Sequence, residues 1–143
     1  MIVTNIKELK KKCEPVISQD EVESIVKKLE ETFTTLKGYG LAANQIGIDK
    51  QLAIVRMDKC ILSLINPIIV FKENKYKFTG ENCFSFPGLF IDTDRYEYVV
   101  VESGLGGDRR RFSFHGLEAA VIQHEIDHLM GITIRDRKHR SRK

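Results

Sequence analysis

Cysteine is scarce in this chain. The three present, Cys13, Cys60 and Cys83, are odd in number and irregularly spaced. That excludes a disulfide framework as the basis of the fold. Reduced thiols are expected, and a cysteine with a chemical role would be a ligand or a nucleophile. No apolar run approaches the ~20 residues of a membrane-spanning helix. The opening segment, Met1-Ile2-Val3-Thr4-Asn5-Ile6-Lys7, has no basic region followed by an apolar core. A secretory leader is therefore not expected, and a cytoplasmic location is the default. The 143 residues contain no linker, repeat or low-complexity stretch. They suit one domain with one hydrophobic core. A strong charge of one sign is also lacking, except at one end. The net charge is +3, but residues 135–143 hold six basic residues against one acid, which leaves about −2 for the rest. The body is thus no nucleic-acid surface, and specific DNA binding is not expected.

What is present is the composition of a soluble globular protein, 42% apolar and 30% charged. Residues 1–17 show no sustained period. Ser18-Gln19-Asp20-Glu21 then has the form of a capping box. Val22, Ile25, Val26, Leu29, Phe33 and Leu36 follow at helical spacing, and Gly38 supplies a stop. An amphipathic helix is predicted over 19–37. Residues 51–57, 60–65 and 68–71 are rich in β-branched and apolar residues and read as strands. Residues 96–102 and 110–114 flank a glycine-rich turn and read as a hairpin. From about 115 the period returns to helical. The predicted class is α+β, with antiparallel or mixed sheets packed around a metal-binding helix and one amphipathic helix near the N-terminus. Residues 1–134 are expected to form a single catalytic domain and 135–143 a solvated basic tail.

The metal assignment comes from His124-Glu125-Ile126-Asp127-His128. Two histidines four residues apart on a helix point the same way and can grip one ion, and Glu125 can reach its water. Leu117 and Val121 continue the stripe and are expected to turn the pair inward. A catalytic site needs a third ligand and an open position. Ile134 stands three residues past Gly131, where one large peptidase class places a third histidine, and no glutamate follows Glu125. The third ligand must come from upstream, since Asp136 and His139 lie in the tail. The candidates are Cys13, Cys60, Cys83 and His115. Cys83 has the best setting, in a segment dense in turn formers, Gly80-Glu81-Asn82-Cys83-Phe84-Ser85-Phe86-Pro87-Gly88. Cys13 and Cys60 read as packing residues and His115 as a helix-start residue.

Three segments taken together resemble the peptide deformylase family. They are Gly38-Tyr39-Gly40-Leu41-Ala42-Ala43-Asn44-Gln45, Glu81-Asn82-Cys83-Phe84-Ser85 and Gln123-His124-Glu125-Ile126-Asp127-His128. The likeness runs from the first helix to about residue 134. It implies a metal-dependent hydrolase that removes the N-formyl group from the formyl-methionine of nascent polypeptides and releases formate. It makes Cys83, His124 and His128 the ligands of one divalent ion, Fe(II) in the cell with Zn(II) or Ni(II) possible. It makes Glu125 the general base and acid, with Gln45 and the Phe84 backbone N–H holding the oxyanion. It also pairs Arg95 with Asp127 behind the metal helix. Asn82 departs from the family's usual glycine, and asparagine tolerates a left-handed backbone there. Phe84 replaces the commoner leucine. The chain resembles short forms without a long C-terminal helix, such as those encoded by bacteriophages.

The glycine-containing segment follows a helix and lacks the Lys-Ser/Thr of a phosphate loop, so it is no nucleotide site. Gly38, Tyr39, Gly40 and Leu41 are instead expected to pair with the substrate backbone as an added strand. Tyr39, Leu117, Ala120 and Val121 are candidates for the methionine pocket. Three rival readings follow from the same residues: an endopeptidase, a structural metal with four protein ligands, and a contact of the basic tail with ribosomal RNA.

Overall fold

The computed structural model describes residues 2–140. Its first element is a one-turn helix, α1 (Ile6–Leu9), capped by the Asn5 side chain. The sequence shows no period here because one turn is too short to display one. Helix α2 (Gln19–Phe33) begins at Ser18, whose Oγ accepts the Glu21 N–H. Glu21 reaches one residue further back than a capping box requires, to the Ile17 N–H. The helix stops four residues short of the predicted end. Thr34 and Thr35 donate their hydroxyls to the carbonyls of Glu31 and Thr32. The backbone bonds there tighten to i→i+3, so no glycine stop is needed.

Two antiparallel three-stranded sheets follow. The first orders β1 (Gly40–Ala42), β2 (Leu52–Arg56) and β3 (Ile61–Ile65). The second orders β4 (Ile68–Glu81), β5 (Ile91–Ser103) and β6 (Arg110–His115). Strand β4 is far longer than the predicted 68–71. It continues through Lys72-Glu73-Asn74-Lys75, where both faces meet solvent and no alternation marks a strand. A bulge between Phe78 and Glu81 shifts its register before the last pair, Glu81 with Ile91. Gly80, at φ +69°, takes the left-handed position. Asn82 is not left-handed, so the expected tolerance there is not called on.

Helix α3 (Gly116–Leu129) is packed between the two sheets. Ala119, Ile122, Ile126 and Leu129 meet Ala42, Ala53, Val55 and Leu64 of one sheet and Val99, Val101 and Phe114 of the other. Helix α2 covers the opposite face of the first sheet through Val22, Ile25, Leu29 and Phe33. The α3 stripe needs one correction. Leu117 is half exposed and Val121 half-buried. The stripe faces an open cleft, and the residues between its members face the core. The helix closes with the Ile132 N–H on the Asp127 carbonyl and the Gly131 N–H on the His128 carbonyl. Gly131 stands at φ +77°. This is a Schellman closure that only glycine accommodates easily.

Residues 134–140 lie against the body of the fold. Ile134–Arg137 forms a 3₁₀ turn capped by Thr133 and Asp136. Lys138 bridges Thr93, and His139 contacts Asp92 and Asp94 of β5. The remainder of the basic stretch, 141–143, lies outside the described residues.

Candidate active site

Two elements bring three donors to one point. Cys83 leaves the end of β4 on a turn closed by the Phe86 N–H on its carbonyl, at 3.0 Å. His124 and His128 stand one turn apart on α3, with ring centroids 4.9 Å apart. Cys83 Sγ lies 3.1 Å from His128 Nε2. One ligand atom from each of Cys83, His124 and His128 lies within 4.8 Å of the others. The other upstream candidates lie elsewhere. Cys13 is buried in the core, where burial pushes its thiol up to about 12. Cys60 is exposed at the β2–β3 turn, not packed in a strand. His115 is exposed at the start of α3 and makes no side-chain cap bond.

The orientation of each ligand is fixed from behind. His124 Nδ1 lies 2.7 Å from Glu81 Oε2, which leaves Nε2 to face Cys83 and His128. Glu81 in turn accepts from Thr93 Oγ1 and doubly from Arg95. Arg95 Nη1 also reaches Asp127 Oδ2 at 2.6 Å, the pair expected from sequence. Glu81 had no role in the sequence reading and is the centre of this network. Asn44, in the 3₁₀ turn that follows β1, donates to the His128 carbonyl at 2.7 Å and ties that turn to α3.

The charges fit a cation. Burial alone would favour a neutral His124. Glu125, Cys83 and Glu81 outweigh it and raise the ring's pKa well above the usual imidazole value. A site that holds a proton this firmly offers a divalent ion the same negative surroundings. Burial, then the nearby His124 and Arg95 charges, pushes His128 well below its ordinary value. It stays in the neutral form that ligates. Glu81 stays ionised despite burial, because Arg95 and His124 hold its carboxyl well below the usual range. Two imidazoles and a thiolate are a donor set for Fe(II) or Zn(II).

Glu125 sits beside the donors and is 3% exposed. Its Oε1 has no hydrogen-bond partner among the described residues. Burial pushes its carboxyl up to about 7. Gln45 Oε1 accepts the Ala42 N–H at 3.0 Å. That aims the Nε2 end at Ser85 Oγ, 3.2 Å away, and Cys83 Sγ, 3.5 Å away. A Cβ on Gly40 would stand 2.5 Å from Glu125 Oε2. Gly40→Ala is therefore expected to displace the carboxylate. It should lower turnover at least about tenfold, towards the ~10²-fold that a 1 Å misplacement can cost. Metal content should be unchanged, and wild-type turnover in that variant would disprove the packing argument.

These groups line a cleft of about 670 Å³. Gly38, Tyr39, Gly40, Leu117, Ala120 and Val121 line it as expected, and so do Phe84, Phe86 and Phe90. The sequence reading used Phe84 only through its backbone N–H and Phe86 only as part of a turn, and gave Phe90 no role. Leu41 does not line it. Its side chain is fully buried against α2, because side chains alternate along β1. Strand β1 is the edge of its sheet. The Tyr39 carbonyl accepts from Arg56, so by antiparallel alternation the Gly40 N–H and C=O point away from β2.

Comparison with known proteins gives consistent findings. The family model described as polypeptide deformylase matches residues 1–143. The peptide deformylase of Aquifex aeolicus is 37% identical over 137 residues, covering 90% of this chain and 80% of that protein. Peptide deformylase 1 of Bacillus anthracis is 39% identical over 127 residues, covering 84% and 79%. The crystal structure of the Thermotoga maritima peptide deformylase superposes with a TM-score of 0.89 at 29% identity, covering 98% of this chain and 97% of that one. The Synechococcus elongatus peptide deformylase, solved in complex with actinonin, gives 0.88 at 33% identity, covering 98% and 78%.

Proposed function

Because the chain belongs to the polypeptide deformylase family, we propose that Cys83, His124 and His128 hold its single metal ion and that Glu125 moves the proton. The enzyme is a hydrolase that removes the N-formyl group from nascent polypeptides. The observation that carries the assignment is the convergence of the three donors beside Glu125 in one cleft.

A divalent ion held there would polarise the formyl carbonyl and lower the pKa of water from ~15.7 to near 7. Glu125 takes the proton from the water whose oxygen bonds to the formyl carbon. It then gives that proton to the amine nitrogen as the C–N bond breaks, and formate leaves. Gln45 Nε2 and the Phe84 N–H donate to the oxygen on which negative charge grows. Losing one such donor typically costs ~3–4 kcal/mol. The outward N–H and C=O of Gly40 suit an extended substrate backbone laid along the edge of β1. The apolar walls from Tyr39, Leu117, Ala120, Val121 and Phe84 suit a methionine side chain. A site opening on a cleft of this size fits catalysis better than a closed structural metal.

Fe(II) is the ion proposed for the cell, since a thiolate with two imidazoles accepts it, with Zn(II) or Ni(II) as substitutes. Protein purified without oxygen is expected to carry one iron per chain by elemental analysis. A cobalt-substituted sample should show thiolate-to-metal charge-transfer absorption from Cys83. Zinc in place of iron would overturn the metal identity, and a missing thiolate band would overturn the ligand set. We also propose residues 1–134 as the catalytic domain with 135–140 docked on it, a cytoplasmic location, and contact of the basic residues 135–143 with ribosomal RNA. Their charge of +5 supports that contact.

A further inference from the structure

We propose that Arg137 is a positioning residue for the metal ligand His124, acting through Asp127, Arg95 and Glu81. The proposal rests on the ligand assignment above. The chain of contacts is continuous. Arg137 Nη2 lies 2.9 Å from Asp127 Oδ1, and Nε lies 3.0 Å from Oδ2. Asp127 Oδ2 also takes Arg95 Nη1. Arg95 grips Glu81 with two donors, and Glu81 Oε2 holds His124 Nδ1. Asp127, Arg95 and Glu81 are all buried, so the links among them lie where charge interactions are strong, and Arg137, itself part exposed, closes the chain from the surface.

A forked pair fixes the carboxylate plane as well as its position. With Arg137 present, Asp127 presents Oδ2 to Arg95 in one orientation. Without it, the single bond from Arg95 Nη1 to Oδ2 is left to orient the carboxylate, and the far side of Arg95 is held less firmly. A second link runs through the same segment. Lys138 bridges Thr93, and His139 lies 2.6 Å from Asp94 and bonds the Asp92 carbonyl at 2.7 Å. The segment thus grips β5 at the residues just before Arg95, including Thr93, which itself donates to Glu81. Basic composition marks residues 135–140 as a solvated tail, yet Arg137 and His139 each have an acid partner on the body of the fold.

The test uses the full chain loaded with cobalt. Arg137→Ala is expected to speed cobalt loss to a chelator roughly tenfold, the lower end of what outer-shell partners typically control. It should also shift the visible cobalt bands, because the His124 ring reorients. Arg137→Lys should restore part of both, since an ammonium keeps the charge but not the fork. Lys10→Ala is the control. It removes a surface pair to Asp136 on the same 3₁₀ turn without touching the chain of contacts. Cobalt bands and chelation rate in Arg137→Ala matching those of Lys10→Ala would overturn the proposal, whatever the change in melting temperature. Arg137→Gln carries the same test if the alanine variant does not fold. The two readings fail separately. If wild type and His124→Ala retain cobalt equally, the ligand assignment fails. If only wild type retains it and Arg137→Ala behaves like wild type, this inference alone fails.

Discussion

Replacing Glu125 by glutamine is expected to lower kcat/KM for formate release from a formyl-Met peptide by roughly 10²–10⁴-fold, the usual contribution of a positioned acid–base group. One metal ion per chain should remain. Glutamine keeps the shape and polarity of the side chain but cannot take up and return a proton. Formate release near the wild-type rate would refute the role given to Glu125. The same substitution is expected to have the opposite sign for stability. Burial raises the carboxyl from its ordinary 4.5 to about 7 in the folded protein. Below pH 4.5 it is protonated in both folded and unfolded chains, and there is no penalty. Between 4.5 and about 7 the folded state binds more protons, so stability falls as pH rises. Above about 7 the penalty is complete, on the order of 3 kcal/mol at ~1.4 kcal/mol per unit. Metal-free Glu125→Gln avoids it. In urea titrations, its advantage over metal-free wild type should be absent at pH 4 and full at pH 8. An equal advantage at both pH values would show that the carboxylate is not strained by burial.

The parts of this site that can be read from sequence are those fixed by local geometry. His124 and His128 return to one face because a helix repeats every 3.6 residues. That face meets a cleft, and the helical period alone cannot tell a cleft wall from a core face, so Leu117, half exposed, could be read as a pocket candidate or as packing. Leu41 shows the reverse. Its neighbours Gly40 and Tyr39 line the cleft, but strand alternation sends Leu41 into the core. The length of β4 is hidden because an exposed hairpin has no dry face to impose a pattern. The aromatic rim of Phe84, Phe86 and Phe90 is hidden because composition marks residues 80–88 as a turn and Phe90 follows it with no pattern of its own. Glu81 is the plainest case. Its partners lie 12, 14 and 43 residues away, and nothing local distinguishes it from a solvated acid. Arg137 reads as one more charge in a basic run, and only the folded chain shows the buried acid it meets.

Glu81→Ala is therefore expected to damage both the fold and the metal site. Its two oxygens receive Thr93, both sides of Arg95 and His124 Nδ1. Truncation leaves Arg95, 2% exposed, with Asp127 as its remaining acid. Removing one partner of a buried ion pair costs ~3–5 kcal/mol, because the other charge stays behind without compensation. Metal affinity should also fall ~10–100-fold, since His124 loses the acceptor that fixes its tautomer and ring plane. Glu81→Gln should not rescue either loss. An amide offers one oxygen to the four donors and turns its NH₂ toward the Arg95 guanidinium. The two effects separate by measurement. Urea denaturation of metal-free protein reports the stranded Arg95, and competition with a chelator at fixed pH reports His124. A Glu81→Ala protein as stable as wild type would mean that water or a shifted acid compensates Arg95. Normal metal affinity would mean that helix packing alone aims His124, and the inferred influence of Arg137 on the metal would lose its route.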